Sequence, residues 1–183
     1  MNNTLQVIRN AVLSAPAVRG IRIVGIDGPS GSGKSMLAAK LAPLLKAPII
    51  PIDDFVSWNN FAGWWPRFEQ QVLDPLLNGH AAHYQQRDWE GDEFGDSLGP
   101  WATVSWSPVV LMEGVTCTRR ESIGRIAFAI WVEAQEDERL RRGIERDGEG
   151  HRALWHRWME EEDKFFAADK TWLRADLIVP GTQ

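Results

Sequence analysis

The sequence predicts an α/β fold: a five-stranded parallel sheet covered by helices on both faces. Two observations carry the prediction. Apolar runs at 21–26, 48–52, 109–112, 126–132 and 176–179 alternate with longer stretches of helical spacing. The first of these runs empties into a glycine-rich turn, and helical spacing resumes directly beyond it. Strand, crossover helix and parallel strand connect with a right hand, so the alternation implies a doubly wound sheet.

Taken in order, 1–15 carries Leu5, Ile8, Val12 and Leu13 on one side, which predicts a leading amphipathic helix over an edge of the sheet. Pro16 and Gly20 end it. Ile21 to Ile26 is rich in β-branched residues and reads as a strand. Met36 to Leu45 places Leu37, Leu41, Leu44 and Leu45 at helical spacing. Pro48 to Ile52 is a short strand whose prolines suit an edge. Pro66 to Leu77 is a helix with proline in its first turn, closed by Asn78-Gly79. Between 81 and 106 the pattern is least regular, and 83–89 with 102–106 reads as a small hairpin or flap. Val109 to Met112 is a continuous apolar run suited to a buried parallel strand. Ile126 to Val132 is another strand. Glu136 to Asp147 is a charged helix dense in arginine. His151 to Ala168 is a helix with Leu154, Trp155, Trp158 and Phe165 inward. Asp176 to Val179 is a last strand, stopped by Pro180-Gly181.

At 183 residues the chain suits one domain, with an insertion at about 54–107 and a lid at about 136–152. A net charge of -5 gives no basic face for nucleic acid. No apolar run approaches a membrane span, and the first twenty residues lack the pattern of a secretion signal. The single cysteine, Cys117, fits a reducing compartment, so a cytoplasmic protein is expected. His80, His83, His151 and His156 show no zinc-ligand spacing.

The glycine-rich turn is Gly28-Pro29-Ser30-Gly31-Ser32-Gly33-Lys34-Ser35, which fits G-x-x-x-x-G-K-[ST] at every fixed position. Such a loop curls so that successive N–H groups point inward, and the following helix adds its positive dipole end. Nucleotide phosphates therefore belong on Gly28, Ser30, Gly31, Ser32, Gly33, Lys34, Ser35 and Met36. Lys34 can reach the outer phosphates, and the Ser35 hydroxyl can hold Mg²⁺.

Phosphoryl transfer also needs a second metal contact, a proton acceptor and cations for the moving charge. Glu113 ends the third strand beside the loop and is the metal candidate. Asp53, at the end of the second strand, is the candidate base and a further candidate metal contact. It is preferred to Asp54 on position alone, and that choice stays open. Arg139, Arg142 and Arg146 share a helix face that could either close over a nucleotide or pair with nearby glutamates in solvent. Tryptophans crowd the region between the second and third strands, and Arg87-Asp88-Trp89 is the best candidate cluster for contacting an acceptor, with Asp53, Trp64 and Arg146 as further candidate acceptor contacts.

These pieces resemble the uridine kinase and phosphoribulokinase branch of phosphate-loop kinases. The resemblance runs from about 21 to 181 through the phosphate loop, Asp53-Asp54-Phe55, Trp65-Pro66-Arg67-Phe68-Glu69 and Arg87-Asp88-Trp89. It continues through Val110-Leu111-Met112-Glu113-Gly114, the Arg139–Asp147 arginine run and Ala175 to Val179. It implies the P-loop NTP hydrolase fold, with ATP and Mg²⁺ used to phosphorylate a hydroxyl of a small acceptor, most simply a nucleoside. By the same resemblance Asp53 is the catalytic acid, Ser35 and Glu113 hold metal, Arg142 and Arg146 form the lid, and Arg87-Asp88-Trp89 touches the base. The sequence departs from the family where an acid precedes His-Pro at the ribose, since Trp64-Trp65-Pro66 stands there. It departs again at Val56, where the family often has Tyr. Other acceptors (a coenzyme precursor, a sugar, an antibiotic hydroxyl), or a nucleotide-binding regulator without transfer, are the alternatives. No nucleic-acid or membrane partner is expected, and a homo-oligomer is compatible with the reading.

Overall fold

The computed structural model of the chain describes residues 2–181; Met1, Thr182 and Gln183, at the ends of the expected span, lie outside them. Five parallel strands, β1 (Arg22–Asp27), β2 (Ile49–Pro51), β5 (Val109–Glu113), β6 (Phe128–Glu133) and β7 (Leu177–Pro180), form one sheet in the order β2-β5-β1-β6-β7. β3 (Ala82–Arg87) and β4 (Leu98–Val104) form a separate antiparallel hairpin with an irregularity between Gln85 and Arg87.

The central strands are apolar on both faces because both faces are covered. On one face Val24, Ile26, Leu111, Ile130 and Val132 meet Leu37 and Leu41 of α2 (Lys34–Leu45) and Ile8 and Val12 of α1 (Asn2–Ser14). The leading helix thus packs into the core of this face, beside α2. On the other face Ile21, Ile23, Ile50, Val110 and Met112 meet Phe68, Val72, Leu73 and Leu76. The helix carrying those four is composite: α3 (Trp65–Phe68), a π-helical segment (Glu69–Leu73) and α4 (Asp74–Leu77). Pro75 has no amide to donate to the preceding turn, which accounts for wider winding just before it.

α5 (Glu136–Asp147) and α6 (Arg152–Asp169) complete the chain order before β7. The inward face of α6 is longer than its spacing suggested. Trp155, Trp158, Met159, Glu162 and Phe166 are buried, whereas Leu154 and Phe165 are half-buried. The second strand is shorter than expected, and Ile52–Asp54 turns off it as a 3₁₀ turn. Its edge position is as its prolines imply. The hairpin strands sit slightly N-terminal to their expected positions. No helix among the described residues is long and apolar enough to cross a membrane.

Candidate functional site

The carboxyl ends of β1, β2 and β5 open onto a cavity of about 790 Å³. Register explains why. Ile26 and Pro51 both pair with Glu113, so three strand ends arrive side by side. Binding in such a crevice is the general rule for open α/β sheets.

The exit from β1 is fixed by Asp27, a residue sequence reasoning passed over. Its buried carboxylate accepts the Gly28, Thr116 and Thr118 amides at 2.7–2.8 Å and the Thr118 hydroxyl at 2.8 Å. Burial pushes its carboxyl pKa up, and the Thr118 and Gly28 hydrogen bonds oppose that rise. An acid directly before the glycine run was the available signal.

The loop itself requires glycine where the backbone closes on its neighbours. Gly28 has φ +137°, and a Cβ there would lie 2.1 Å from the Val132 carbonyl oxygen. Gly31 has φ +76°, and a Cβ there would lie 2.6 Å from the Arg139 carbonyl oxygen. Because α2 begins at Lys34, the amides of Lys34, Ser35 and Met36 belong to its first turn and lack partners inside the helix. Those amides and the dipole make an anion site. Lys34 donates from Nζ to the Pro29 carbonyl at 2.9 Å. Ser30, Gly31, Gly33, Lys34, Ser35 and Met36 line the cavity. Gly28 and Ser32 support the loop without lining it.

Glu113 is buried and lines the cavity beside Ser35. Burial, then the charge of Asp53, raises its pKa, against Lys34 and the Ser35 hydroxyl. A hydroxyl and two carboxylates are hard oxygen donors. Mg²⁺ usually takes one or two carboxylates and fills its shell with water and phosphate, so the set fits that ion. Among the described residues no group of three or more His, Cys, Asp or Glu is arranged to hold a metal by itself.

The two neighbouring aspartates have different surroundings. Asp54 accepts the Tyr84 hydroxyl at 2.9 Å and Gln86 Nε2 at 3.2 Å on both oxygens, so its carboxylate fastens the hairpin to the end of β2. Burial raises its pKa, against those two bonds. Asp53 uses its backbone carbonyl for structure, accepting Trp89 Nε1 at 2.8 Å. Its carboxylate lies among the charges of Glu113, Asp54 and Arg146.

The arginine helix divides by residue. Arg139 is buried, with Nη1 3.1 Å from Glu162 Oε2. Arg141 lies outside, between Glu138 and Glu145. Arg142 lines the cavity, donating to the Gly31 carbonyl at 3.1 Å and pairing with Glu138 at 2.9 Å. Arg146 also lines it, paired with Asp147 at 2.7 Å, and that bond raises the Arg146 pKa. Spacing placed Arg139 on the same face as these two, but its guanidinium passes behind the phosphate loop.

Of Arg87-Asp88-Trp89, only Trp89 lines the cavity. Arg87 lies buried beneath it, 4.3 Å from the indole ring, and donates to the Asp88 and Asp92 carbonyls. Asp88 accepts the Gly91 amide at 2.8 Å, a loop bond. Trp64 does not reach the cavity either. It is 2% exposed and packs on Phe55, Trp65 and Phe68, with the Arg119 guanidinium 4.7 Å from its ring. Large aromatic area buried beside other rings is what places it in the core.

The far wall comprises residues no motif identified. Glu90 and Glu93 come from the hairpin loop, Trp58 from beyond β2, Asp147 from α5, His151 from the turn before α6, and Trp155 and Trp158 from α6. Glu93 Oε1 meets His151 Nε2 at 2.6 Å, and His151 stacks on Trp58 at 6.4 Å between centroids. Trp155 Nε1 donates to Asp147 at 2.9 Å. The Glu93–His151 and Trp58–His151 contacts join segments remote in sequence, so no local pattern marks them.

No family model matches the chain, and no curated protein does. Solved structures do match. A possible uridine kinase from Bacillus stearothermophilus is 20% identical, aligned over 97% of each chain with a TM-score of 0.73. A proposed fructose transport system kinase from Silicibacter sp. TM1040 is 21% identical, over 96% of this chain and 98% of that one, with a TM-score of 0.69. The chain shares their α/β fold.

Proposed function

We propose that this chain is an ATP- and Mg²⁺-dependent phosphotransferase that phosphorylates a hydroxyl of a small acceptor, in the manner of the uridine kinase branch. The observation that carries the reading is convergence: Lys34, Ser35, Glu113, Asp53, Arg142 and Arg146 come from four separate elements and line one cavity. Likeness of fold to two proteins described as kinases agrees with it, although fold alone never fixes function.

In this reading the amides from Gly31 to Ser35 and the Lys34 ammonium hold the nucleotide phosphates. Ser35 and Glu113 would hold Mg²⁺, which supplies charge neutralisation at the phosphates when bound. Asp53 accepts the hydrogen bond of the acceptor hydroxyl and takes its proton as the oxygen bonds to the terminal phosphorus and the bond to ADP breaks. Arg142 and Arg146 spread the charge on the transferred group. Trp58 and Trp89 give the acceptor flat apolar surface.

A nucleoside is the favoured acceptor class. The acceptor side is rich in acid: Asp53, Glu90, Glu93 and Asp147, with Arg146 and His151 each already on a carboxylate. A phosphorylated or carboxylated acceptor would find no spare counter-ion there, which favours an uncharged one. A different hydroxyl compound is the second reading. It is favoured by Trp64 being in the core and by Arg87 and Asp88 being spent on loop carbonyls and amides. Coupled ADP release across nucleosides, uncharged sugars, coenzyme precursors and aminoglycosides tests both. Acceptor-dependent turnover that disappears in Asp53→Asn supports phosphotransfer. ATP binding without turnover on any acceptor points to a regulator instead.

A further inference from the structure

The phosphate loop is held from behind by a buried carboxylate. Glu162 of α6 has no exposed surface. Its Oε1 accepts the Ser30 amide at 2.7 Å and the Trp158 indole N–H at 2.9 Å. Its Oε2 faces Arg139 Nη1 at 3.1 Å. The Trp158 indole N–H is also 2.9 Å from the Ser30 hydroxyl. One turn of α6 thus grips one residue of the loop through both its main chain and its side chain.

Placing a carboxylate here has a cost. Desolvation disfavours it, and a negative charge behind an anion site opposes phosphate. Arg139 cancels that charge locally. What remains specific to Glu162 is its acceptor oxygen, which turns the Ser30 amide away from the cavity and fixes the peptide plane at the loop's entrance. Gly31 is pinned next, between the Arg139 carbonyl behind it and the Arg142 guanidinium on its own carbonyl. A loop ordered before nucleotide arrives loses less entropy on binding.

We infer that Glu162 is a positioning residue for the nucleotide site: its Oε1 holds the phosphate loop in the nucleotide-accepting shape, and Arg139 is there to neutralise it. The inference rests on the nucleotide-binding part of the function proposed above.

Single substitutions would leave one buried charge unpaired and could unfold the protein. Two double variants avoid this. Arg139→Leu with Glu162→Leu removes both charges and the acceptor. Arg139→Gln with Glu162→Gln removes both charges but keeps an oxygen for Ser30. Both are first checked for a wild-type near-ultraviolet circular dichroism spectrum, then titrated with Mg-ATP by calorimetry well below their melting temperatures. The leucine pair should bind Mg-ATP at least about tenfold more weakly than wild type, and the glutamine pair within about threefold of it. Equal affinity in the two variants, whether both like wild type or both weakened, overturns the inference. Failure of the wild-type protein to bind Mg-ATP would instead remove the functional reading beneath it.

Discussion

The two sides of the cavity are built differently. The phosphate-loop side is main chain held by buried polar groups: Asp27 accepts four hydrogen bonds, Glu162 holds Ser30, and Arg139 presses its carbonyl against Gly31. The hairpin side is a two-stranded ribbon whose base is buried in the core through Ala82 and Tyr84, while its outer end is held by side chains: Trp89 to the Asp53 carbonyl, Asp54 to Tyr84 and Gln86, Ser57 to Asp96, Asn59 to the Phe94 carbonyl, and Glu93 to His151. Trp89 is 37% exposed, whereas Asp27 and Glu162 are fully enclosed. Buried networks specify a single arrangement, and regions with few buried contacts open at lower cost. The contrast fits a protein with one fixed ligand and one selected by adaptable surface.

The largest effect should separate the aspartates. Asp53→Asn should lower kcat by about 10²–10⁴-fold with Mg-ATP affinity nearly unchanged. Asp54→Asn, acting through the hairpin, should instead lower the melting temperature and raise the acceptor KM. Steady-state kinetics and calorimetry on both variants decide it, and equal kcat losses would break the distinction.

Next come the tryptophans. Trp64→Ala should cost about 3–5 kcal/mol in denaturant unfolding, the usual range for a buried ring. Trp89→Ala should leave stability within about 1 kcal/mol and raise the acceptor KM several-fold. If the two substitutions act alike, the division between core and cavity wall is wrong.

Gly31→Ala tests the rigid side. A Cβ facing the Arg139 carbonyl at positive φ should cost about 1–3 kcal/mol and weaken Mg-ATP binding. A melting curve and a titration like wild type would show that the loop yields more than its packing indicates.

The smallest effect concerns pH. Hydrogen bonding to Glu93 raises the His151 pKa above its ordinary value of 6.5. A raised histidine pKa stabilises the folded clasp fully below the unfolded value and ceases to as pH rises through the folded one. Proteolytic nicking within 88–97 should therefore be slower near about pH 6 than near about pH 9, and Glu93→Gln should flatten the difference. Nicking independent of pH in the parent protein would remove the clasp.

Much of this was legible in the residues. The phosphate octet and Glu113 follow from local pattern, because a loop between strand and helix constrains its own backbone. The arginine helix was legible as an element but not as a set of roles. Spacing gives a face, and only the position of α6 sends Arg139 to Glu162 while Arg142 and Arg146 meet the cavity. Trp64 and Trp89 are alike in composition, yet one fills the core and the other lines the wall. That difference depends on where the hairpin lands.

By itself the sequence determined the alternation of strand and helix, the parallel sheet and the phosphate loop. These rest on periodicity and backbone sterics that act over a few residues. The tertiary structure alone decided that Asp54, which lines the cavity together with Asp53, also fastens the hairpin, which indoles are core, and that Glu162 stands behind Ser30. Most of these depend on groups tens of residues or more apart in the chain, and burial with hydrogen-bond satisfaction can select such partners only once the chain has closed around them.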